Sequence, residues 1–349
     1  MTSPRVLVAM SGGVDSSVAA ALLVDAGHEV LGVTLKLWGG ESDSGCCSVS
    51  DVEDARRVAA QLDIPHYVFD YSVAFDEHVV DPYVDAYSSG STPNPCVECN
   101  RHIKFGLLLD RADALGCDSL ATGHHARRVR DERGRAQLQR AVDSAKDQSY
   151  VLAMLTGPQL ERLQFPVGEL TKSDVRAYAA RLGLRTATKP DSQDVCFITR
   201  GGREQFLDAR VPARAGEIHD TSGRVVGSHD GIARFTIGQR RGLGIAAGER
   251  RFVVDIDAPS ATVTIGRPPD LLRDGLLVTS CTFVHDPPAR GAEVLVQVRA
   301  HGQVTPGRYT AGSAGGEIVF TEPQPRVAPG QLIAFYDGPT VVGSAVAAA

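Results

Sequence analysis

The sequence predicts an α/β protein in three parts: an N-terminal doubly wound parallel sheet, a small central mixed α+β module and a C-terminal antiparallel β-barrel. Three observations carry that expectation. From residue 5 to about 125, apolar strand-like runs alternate with helical patterns, the signature of βαβ units. Beyond about Arg200, glycine and proline become denser and helical periodicity fades. Period-two segments then appear at 293–298 and 317–320, separated by turn signals. At 349 residues the chain exceeds one typical domain, and the divisions expected are 1–204, 205–275 and 276–349.

Taken in order, strands are expected at 6–10, 30–35, 67–71 and 119–122. The first runs straight into Ser11-Gly12-Gly13-Val14-Asp15-Ser16, and a helical stretch follows over 17–26. Ser50-Asp51-Val52-Glu53 reads as a capping box opening a helix to about Leu62. A further helix carries Phe105, Leu107, Leu108, Leu109 and Ala112, and Thr171-Lys172-Ser173-Asp174 opens another that runs to about Gly183. In such a sheet a ligand sits beyond the carboxyl ends of the strands, so the turn at 11–16 and Gly123-His124 can face one site. The central module joins the last part through Gly266-Arg267-Pro268-Pro269. Turns at Asp286-Pro287-Pro288, Pro306-Gly307, Pro329-Gly330 and Asp337-Gly338-Pro339 suit short strands closing into a barrel.

Composition narrows the function classes. With 43% hydrophobic and 22% charged residues and no apolar run of transmembrane length, a membrane span is not expected. The first residues, Met1-Thr2-Ser3-Pro4-Arg5, carry no long apolar segment, so a cytoplasmic protein is expected. Seven cysteines spread over a long chain do not resemble a secreted disulfide framework. A formal charge of −6 argues against indiscriminate coating of nucleic acid. A local basic patch remains sufficient for one particular nucleic acid, and the candidates are Arg127-Arg128-Arg130-Arg133-Arg135, Arg240-Arg241 and Arg250-Arg251.

The turn at 11–16 reads as a phosphate-binding turn. Two glycines after a buried strand let the backbone approach an anion, and the following helix N-terminus offers N–H groups and a favourable dipole. No lysine follows the second glycine, so this is not the G-x-x-x-x-G-K-[ST] loop. Farther along, Cys96 and Cys99 form a C-x-x-C, with Cys196 about a hundred residues on. Three readings stay open for these thiols: half a zinc site completed by Cys196 and a histidine such as His102, a redox pair, or buried structural thiols. Cys117 and Cys281 read as core residues, and Cys46-Cys47 as structural or incidental.

SGGVDS resembles the PP-loop of ATP pyrophosphatases. It is followed in order by Thr92-Pro93-Asn94-Pro95 with Cys99-Asn100 and Lys104-Phe105, then Ala121-Thr122-Gly123-His124 and Lys146-Asp147-Gln148-Ser149-Tyr150. Phe165-Pro166-Val167-Gly168-Glu169, the stretch from Asp191 to Phe197 and Gly238-Gln239-Arg240-Arg241-Gly242-Leu243-Gly244 complete the series. Together these resemble the bacterial tRNA-specific 2-thiouridylases over essentially the whole chain. The resemblance implies a Rossmann-like PP-loop domain, a small central domain and a β-barrel. It implies ATP-dependent replacement of the C2 oxygen of the wobble uridine by sulfur in the tRNAs for Lys, Glu and Gln.

By the same resemblance, Ala9, Met10, Ser11, Gly12, Gly13, Val14, Asp15, Ser16, Leu35 and Gly123 bind ATP, with Asp15 acting through Mg²⁺. Cys196 carries a persulfide received from a cysteine desulfurase or a relay protein, and Cys99 is the second catalytic cysteine. Asn94, Pro95 and Cys96 surround the flipped target base. His124, Lys146, Asp147, Gln148, Arg299, Ala300 and Gln331 follow the anticodon arm of the tRNA. Two departures stand out. Cys96 occupies the place where some relatives have an aspartate proposed as general acid/base, and Ala300 stands where an aromatic often follows the arginine. Cys96, Cys99 and Cys196 are alternatively ligands of a [4Fe–4S] cluster, and the expected assembly state is a monomer. The competing functions are another PP-loop adenylating enzyme, which would not require Cys99, Cys196 and the barrel together, and a zinc- and ATP-binding RNA-binding module.

Overall fold

The computed structural model describes residues 3–38, 48–191, 195–198, 202–245 and 249–349. Strand β1 (Arg5–Ala9) leads through the glycine turn into α1 (Val14–Asp25), and β2 (Glu29–Lys36) follows. Then come α2 (Val49–Gln61), β3 (His66–Asp70), α3 (Ser72–Phe75) and α4 (Asp81–Ser88). Helix α5 (Pro95–Glu98) continues through a π-helical segment, Cys99–Leu107, into α6 (Leu108–Ala114). Strand β4 (Ser119–Thr122) precedes a hairpin of β5 (Ala126–Arg130) and β6 (Ala136–Arg140). Helix α7 (Gly157–Glu161), β7 (Leu163–Gln164), α8 (Lys172–Arg181) and α9 (Gly202–Asp208) complete this part.

The first sheet is parallel, in the order β3-β2-β1-β4-β7. Alternation along its strands divides the apolar side chains between two cores. Val6 and Val8 meet Val18, Val58 and Val175 on one face, whereas Leu7, Val33 and Leu120 meet Phe75, Ile103 and Leu108 on the other. Helices therefore cover both faces, as a doubly wound sheet requires. The observed strands match the expected ones to within a residue or two at each end.

Two expected boundaries move. Helix α1 starts at Val14 rather than 17, because Gly13 is extended at ψ 166 and already serves as its N-cap. Helix α2 starts at Val49, and its cap is Ser48, whose Oγ accepts from the Asp51 N–H. The Ser50–Glu53 capping box is thus corrected: the same spacing recurs two residues earlier, and Ser48 is the residue with extended backbone.

The central part is a mixed four-stranded sheet, β8 (Gly216–Asp220), β9 (Val225–His229), β10 (Phe252–Asp257) and β11 (Thr262–Gly266), in the order β10-β11-β8-β9. The last part consists of β12 (Leu272–Phe283), β13 (Ala292–Gln297), β14 (Thr305–Gly312), β15 (Gly315–Pro325), β16 (Leu332–Asp337) and β17 (Thr340–Ala347). Its antiparallel order β12-β15-β14-β13-β16-β17 closes through β12–β17 pairing, so the barrel has no free edge among these strands. Tyr309, Ile318 and Phe335 fill it.

Pro306-Gly307 was expected to turn the chain but lies inside β14. Pro306 faces Leu295 of β13, while pairing with β15 begins only at Gly307. A proline near a strand start, with one neighbour only, costs little of the ladder. The β5–β6 hairpin was not anticipated. It leaves the first domain and adds to the barrel sheet beside β17, where Gln139 pairs with Thr340.

Candidate active site

The site is built where β1 and β4 end. Met10 N–H donates to Val33 carbonyl at 2.7 Å, and the Thr34 hydroxyl donates to Met10 carbonyl at 2.7 Å, which fixes the exit from β1. Gly12 has φ +73, and a Cβ there would lie 2.2 Å from Asp51 carbonyl oxygen. Only glycine fits this approach to α2. Ser11 N–H donates to Ser16 Oγ at 3.1 Å, and the Ser16 and Ser17 hydroxyls donate to Gly13 carbonyl. Gly13 heads α1 without a side-chain cap, so the first-turn N–H groups point out of the helix end. Gly123 closes the other side: a Cβ there would sit 2.5 Å from Ser16 nitrogen. A bare backbone cradle at a helix N-terminus fits a polyphosphate.

Asp15 does not stand alone. Lys172, the first residue of α8, places Nζ 2.7 Å from both Asp15 carboxylate oxygens, and His125 Nε2 lies 3.1 Å from Oδ1. Burial raises the Asp15 pKa, but the hydrogen bonds from His125 and Lys172 and the lysine charge outweigh it and hold the carboxyl below its ordinary value. Lys172 also reaches Asp191 at 2.8 Å, and Asp191 takes further contacts from Lys146 and Arg176, each at 2.8 Å. Burial opposes ionisation of Asp191 as well. Its lysine partners nevertheless bring its pKa to about 2.

A second lysine fixes the same region from below. Lys189 Nζ donates to Gly12 carbonyl at 2.9 Å and to Asp51 and Asp54 at 2.6 and 2.7 Å. The segment that leads to Cys196 is therefore anchored at Lys189 to the glycine turn and at Asp191 to Lys172. Cys196 is half-buried and packs against the apolar cluster that contains Cys99, which is 7% exposed. Cys99 begins the π-helical segment, a distortion that recurs at functional sites. Asn94 caps α5 by accepting from Cys96 N–H at 3.1 Å, Pro95 occupies the first turn, and Cys96 is exposed.

The expected tRNA residues fall into two groups. Lys146, Asp147 and Gln148 are built into the site floor. Lys146 pairs with Asp191, Asp147 accepts from Arg140, Ala141 N–H and Ser149, and Gln148 accepts from His125 N–H at 2.9 Å. His124 holds Thr122 Oγ1 at 2.7 Å and packs between Phe105 and Phe165; burial keeps its pKa well below the ordinary value. The other group comes from the barrel. Arg299 is exposed, and Gln297 donates to the carbonyls of Arg299 and Ala300. Gln331 follows Gly330, whose loop meets the Asn94 loop where Thr92 N–H donates to Pro329 carbonyl at 2.7 Å.

Other expectations need correction. In the first basic stretch, Arg127, Arg130 and Arg135 are ion-paired with Glu169, Glu161 and both Asp131 and Asp286, because the hairpin places acidic neighbours beside them. His102 pairs with Glu98 and stacks on His78, which occupies the ring proposed to complete a zinc site. Among the described residues, no group of three His, Cys, Asp or Glu side chains gathers to hold a metal. Of the three thiols named for a cluster, Cys96 is exposed, Cys99 buried and Cys196 half-buried. Cys117 is buried as expected, and Cys281 is half-buried with the Tyr309 hydroxyl donating to its sulfur. Cys46, Cys47, Ser192, Gln193 and Asp194 lie outside the described residues.

Sequence reasoning missed His125, Lys172 and Lys189. Lys172 was in view as part of a helix cap, and His125 as the neighbour of His124. Their roles come from elements that meet only in the fold.

The chain matches three family models in succession: a tRNA methyl transferase HUP domain over residues 4–200, a tRNA methyl transferase PRC-barrel domain over 204–267 and an aminomethyltransferase beta-barrel domain over 273–347. It is 51% identical over 347 residues to the tRNA-specific 2-thiouridylase MnmA of Chloroflexus aggregans, covering 97% of each chain. It is 48% identical over 360 residues to the protein of the same name from Mycobacteroides abscessus, covering 98% of this chain and 99% of that one. A solved structure, the U34-tRNA thiolase NcsA from Methanococcus maripaludis with its [4Fe-4S] cluster, matches at TM-score 0.37 and 17% identity over 60% of this chain and 64% of that one.

Proposed function

The chain belongs to the tRNA-specific 2-thiouridylase family, and from that premise we propose that it is a tRNA uridine sulfurtransferase that uses ATP to exchange the C2 oxygen of the wobble uridine for sulfur in the tRNAs for Lys, Glu and Gln. The observation that carries the chemistry is Lys172, which bridges Asp15 of the glycine turn to Asp191 at the start of the segment bearing Cys196. One cation thus connects the nucleotide end of the site to the sulfur end.

A uracil carbonyl is a poor electrophile and its oxygen a poor leaving group. In the proposed reaction uridine O2 attacks the α-phosphorus of ATP and pyrophosphate departs into the cradle of first-turn N–H groups and Lys172, where negative charge is compensated. Asp15 would hold Mg²⁺, since one carboxylate with phosphate oxygens is the usual magnesium set. That ion would supply charge neutralisation on the phosphates. Lys172 supplies a positive charge at the same carboxylate.

Sulfur arrives on Cys196 as Cys–S–SH from a desulfurase or a relay protein. The Cys99 thiolate attacks the Cys196 sulfur and expels hydrosulfide, which adds at C2; AMP then leaves with the C–O electron pair. Alternatively the terminal sulfur attacks C2 directly and Cys99 resolves the resulting Cys196-linked adduct. Either order ends in 2-thiouridine, AMP and a Cys99–Cys196 disulfide, and two electrons from a reductant restore both thiols. Cys99 belongs to the large apolar core cluster of the molecule and Cys196 packs against that same cluster, which is compatible with this pairing. Asn94, Pro95 and Cys96 are assigned to the target base, with the carbonyl-anchored loop at Arg299 and Ala300 and the loop at Gln331 on the anticodon arm.

The test is nucleoside mass spectrometry of unmodified tRNA incubated with the protein, Mg-ATP, cysteine, a desulfurase and reductant. An ATP-dependent 2-thiouridine signal that disappears in Cys196→Ser and in Cys99→Ser is the expected result. Pyrophosphate release without 2-thiouridine would leave adenylation standing and overturn the assigned sulfur route or target base.

A further inference from the structure

Of the basic stretches in the sequence, the two in the central module leave three of their four arginines without an ion pair among the described residues. Arg240, Arg241 and Arg250 are exposed and make no ion pair among the described residues, in contrast to Arg127, Arg130 and Arg135. Arg240 and Arg250 face an open recess of about 710 Å³ whose wall includes Gly242, Leu243 and Gly244. Leu243 is buried in the core of the module, which anchors the stretch 242–244, and the two glycines, at φ +73 and +68, add no side chain to their part of the wall. Glu249 is the acidic member of the rim, and it is already held by Arg251 at 2.6 Å and Arg267 at 3.2 Å. The same loop reaches the barrel: a Cβ on Gly238 would lie 3.7 Å from Arg299 Nη2.

We propose that Arg240, Arg241 and Arg250 bind backbone phosphates of the tRNA, extending the RNA surface from Arg299 across the central module. The proposal rests on the reading that the protein acts on tRNA. A guanidinium matches phosphate geometry with paired N–H donors, and backbone contacts of this kind position an RNA without reading its bases. On a chain of net charge −6, such a track also determines which face meets the polyanion.

The experiment measures tRNA affinity from about 50 to 200 mM salt, a range over which phosphate contacts are resolved. It compares the intact chain with the Arg240→Ala/Arg250→Ala double variant, Arg240→Lys/Arg250→Lys and Glu249→Gln. ATP affinity and melting temperature are recorded in parallel. For the alanine pair, binding should weaken ~5–10-fold per lost contact at about 0.1 M salt, and the log–log salt slope should fall by about 2. The lysine pair should keep most of the slope, which separates lost charge from a damaged loop. Glu249→Gln frees Arg251 and Arg267, so it should tighten binding. An unchanged slope in the alanine pair overturns the phosphate track, as does a loss confined to ATP affinity, which would assign the recess to a free nucleotide. Failure of the intact chain itself to bind tRNA would overturn the underlying functional reading instead.

Discussion

Lys172 is the residue on which the site turns. It faces two carboxylates at once, and each is held ionised against the cost of burial. Lys172→Ala would leave Asp15 and Asp191 without their common cation, so nucleotide binding should weaken about tenfold or more, as expected for loss of a charged hydrogen bond worth roughly 1.5–3 kcal/mol. Isothermal titration with ATP checks this, and Lys172→Arg should restore part of it. Asp191 makes a second prediction, in pH. Its pKa falls from 3.8 to about 2 in the folded protein, so the stabilisation is complete above the unfolded value and is lost as pH drops from about 4 to about 2. The gap in melting temperature between the intact chain and Asp191→Asn should therefore narrow over that window. A gap independent of pH would mean that Asp191 acts by packing alone. At this scale the sequence shows the chemistry-bearing types because each sits in a local motif: Asp15 in a glycine turn, Cys99 in a C-x-x-C and Cys196 in the stretch from Asp191 to Phe197. It conceals His125 and Lys172, because each becomes functional by meeting a residue more than a hundred positions away.

At the scale of elements, α1 and the β4 exit are coupled through one missing side chain. Gly123→Ala places a methyl group 2.5 Å from Ser16 nitrogen and 2.7 Å from Asp15 carbonyl carbon, both backbone atoms at the start of α1. No side-chain rotation relieves that contact, so α1 must shift. The expected destabilisation is about 1–3 kcal/mol, with loss of ATP binding larger than the stability change explains. Chemical denaturation and nucleotide titration on the same sample test both halves. Element type was legible here because the short, continuous, β-branched apolar runs of β1 and β2 flank a longer alanine-rich run at α1. Boundaries were less legible. Ser48 and Ser50 carry similar capping signals, and only backbone conformation selects Ser48. Pro306-Gly307 has turn composition, yet its single-sided pairing at the start of β14 makes the proline tolerable. The π-helical run after Cys99 left no periodic trace, since its extra residue per turn shifts a pattern that short helices on either side do not extend far enough to reveal.

At the scale of the whole molecule, the β5–β6 hairpin makes the barrel part of the active-site support. Arg140 at the end of β6 donates through Nη1 to Asp147 and through Nη2 to Gln297, and its guanidinium lies 3.9 Å from the Tyr336 ring centroid. Asp147 holds the loop that presents Lys146 and Gln148, whereas Gln297 holds the loop of Arg299 and Ala300. One side chain thus ties the site floor to the barrel loop of Arg299 and Ala300, the loop proposed above to meet the anticodon arm. The order of the three parts was readable from composition, but this tie was not, because Gln139 and Thr340 pair across 201 positions. Arg140→Ala would leave the Asp147 carboxylate, only 6% exposed, with its Ala141 and Ser149 donors but without its cation, and should cost roughly 1–3 kcal/mol of stability. Arg140→Lys keeps the charge but has a single nitrogen in place of a two-direction fork, so it can serve Asp147 or Gln297 but not both. If the tie matters for function, the lysine variant should regain stability while tRNA affinity and thiolation remain reduced. If Arg140 only stabilises the fold, stability and thiolation should recover together, and measuring both on the two variants separates these outcomes.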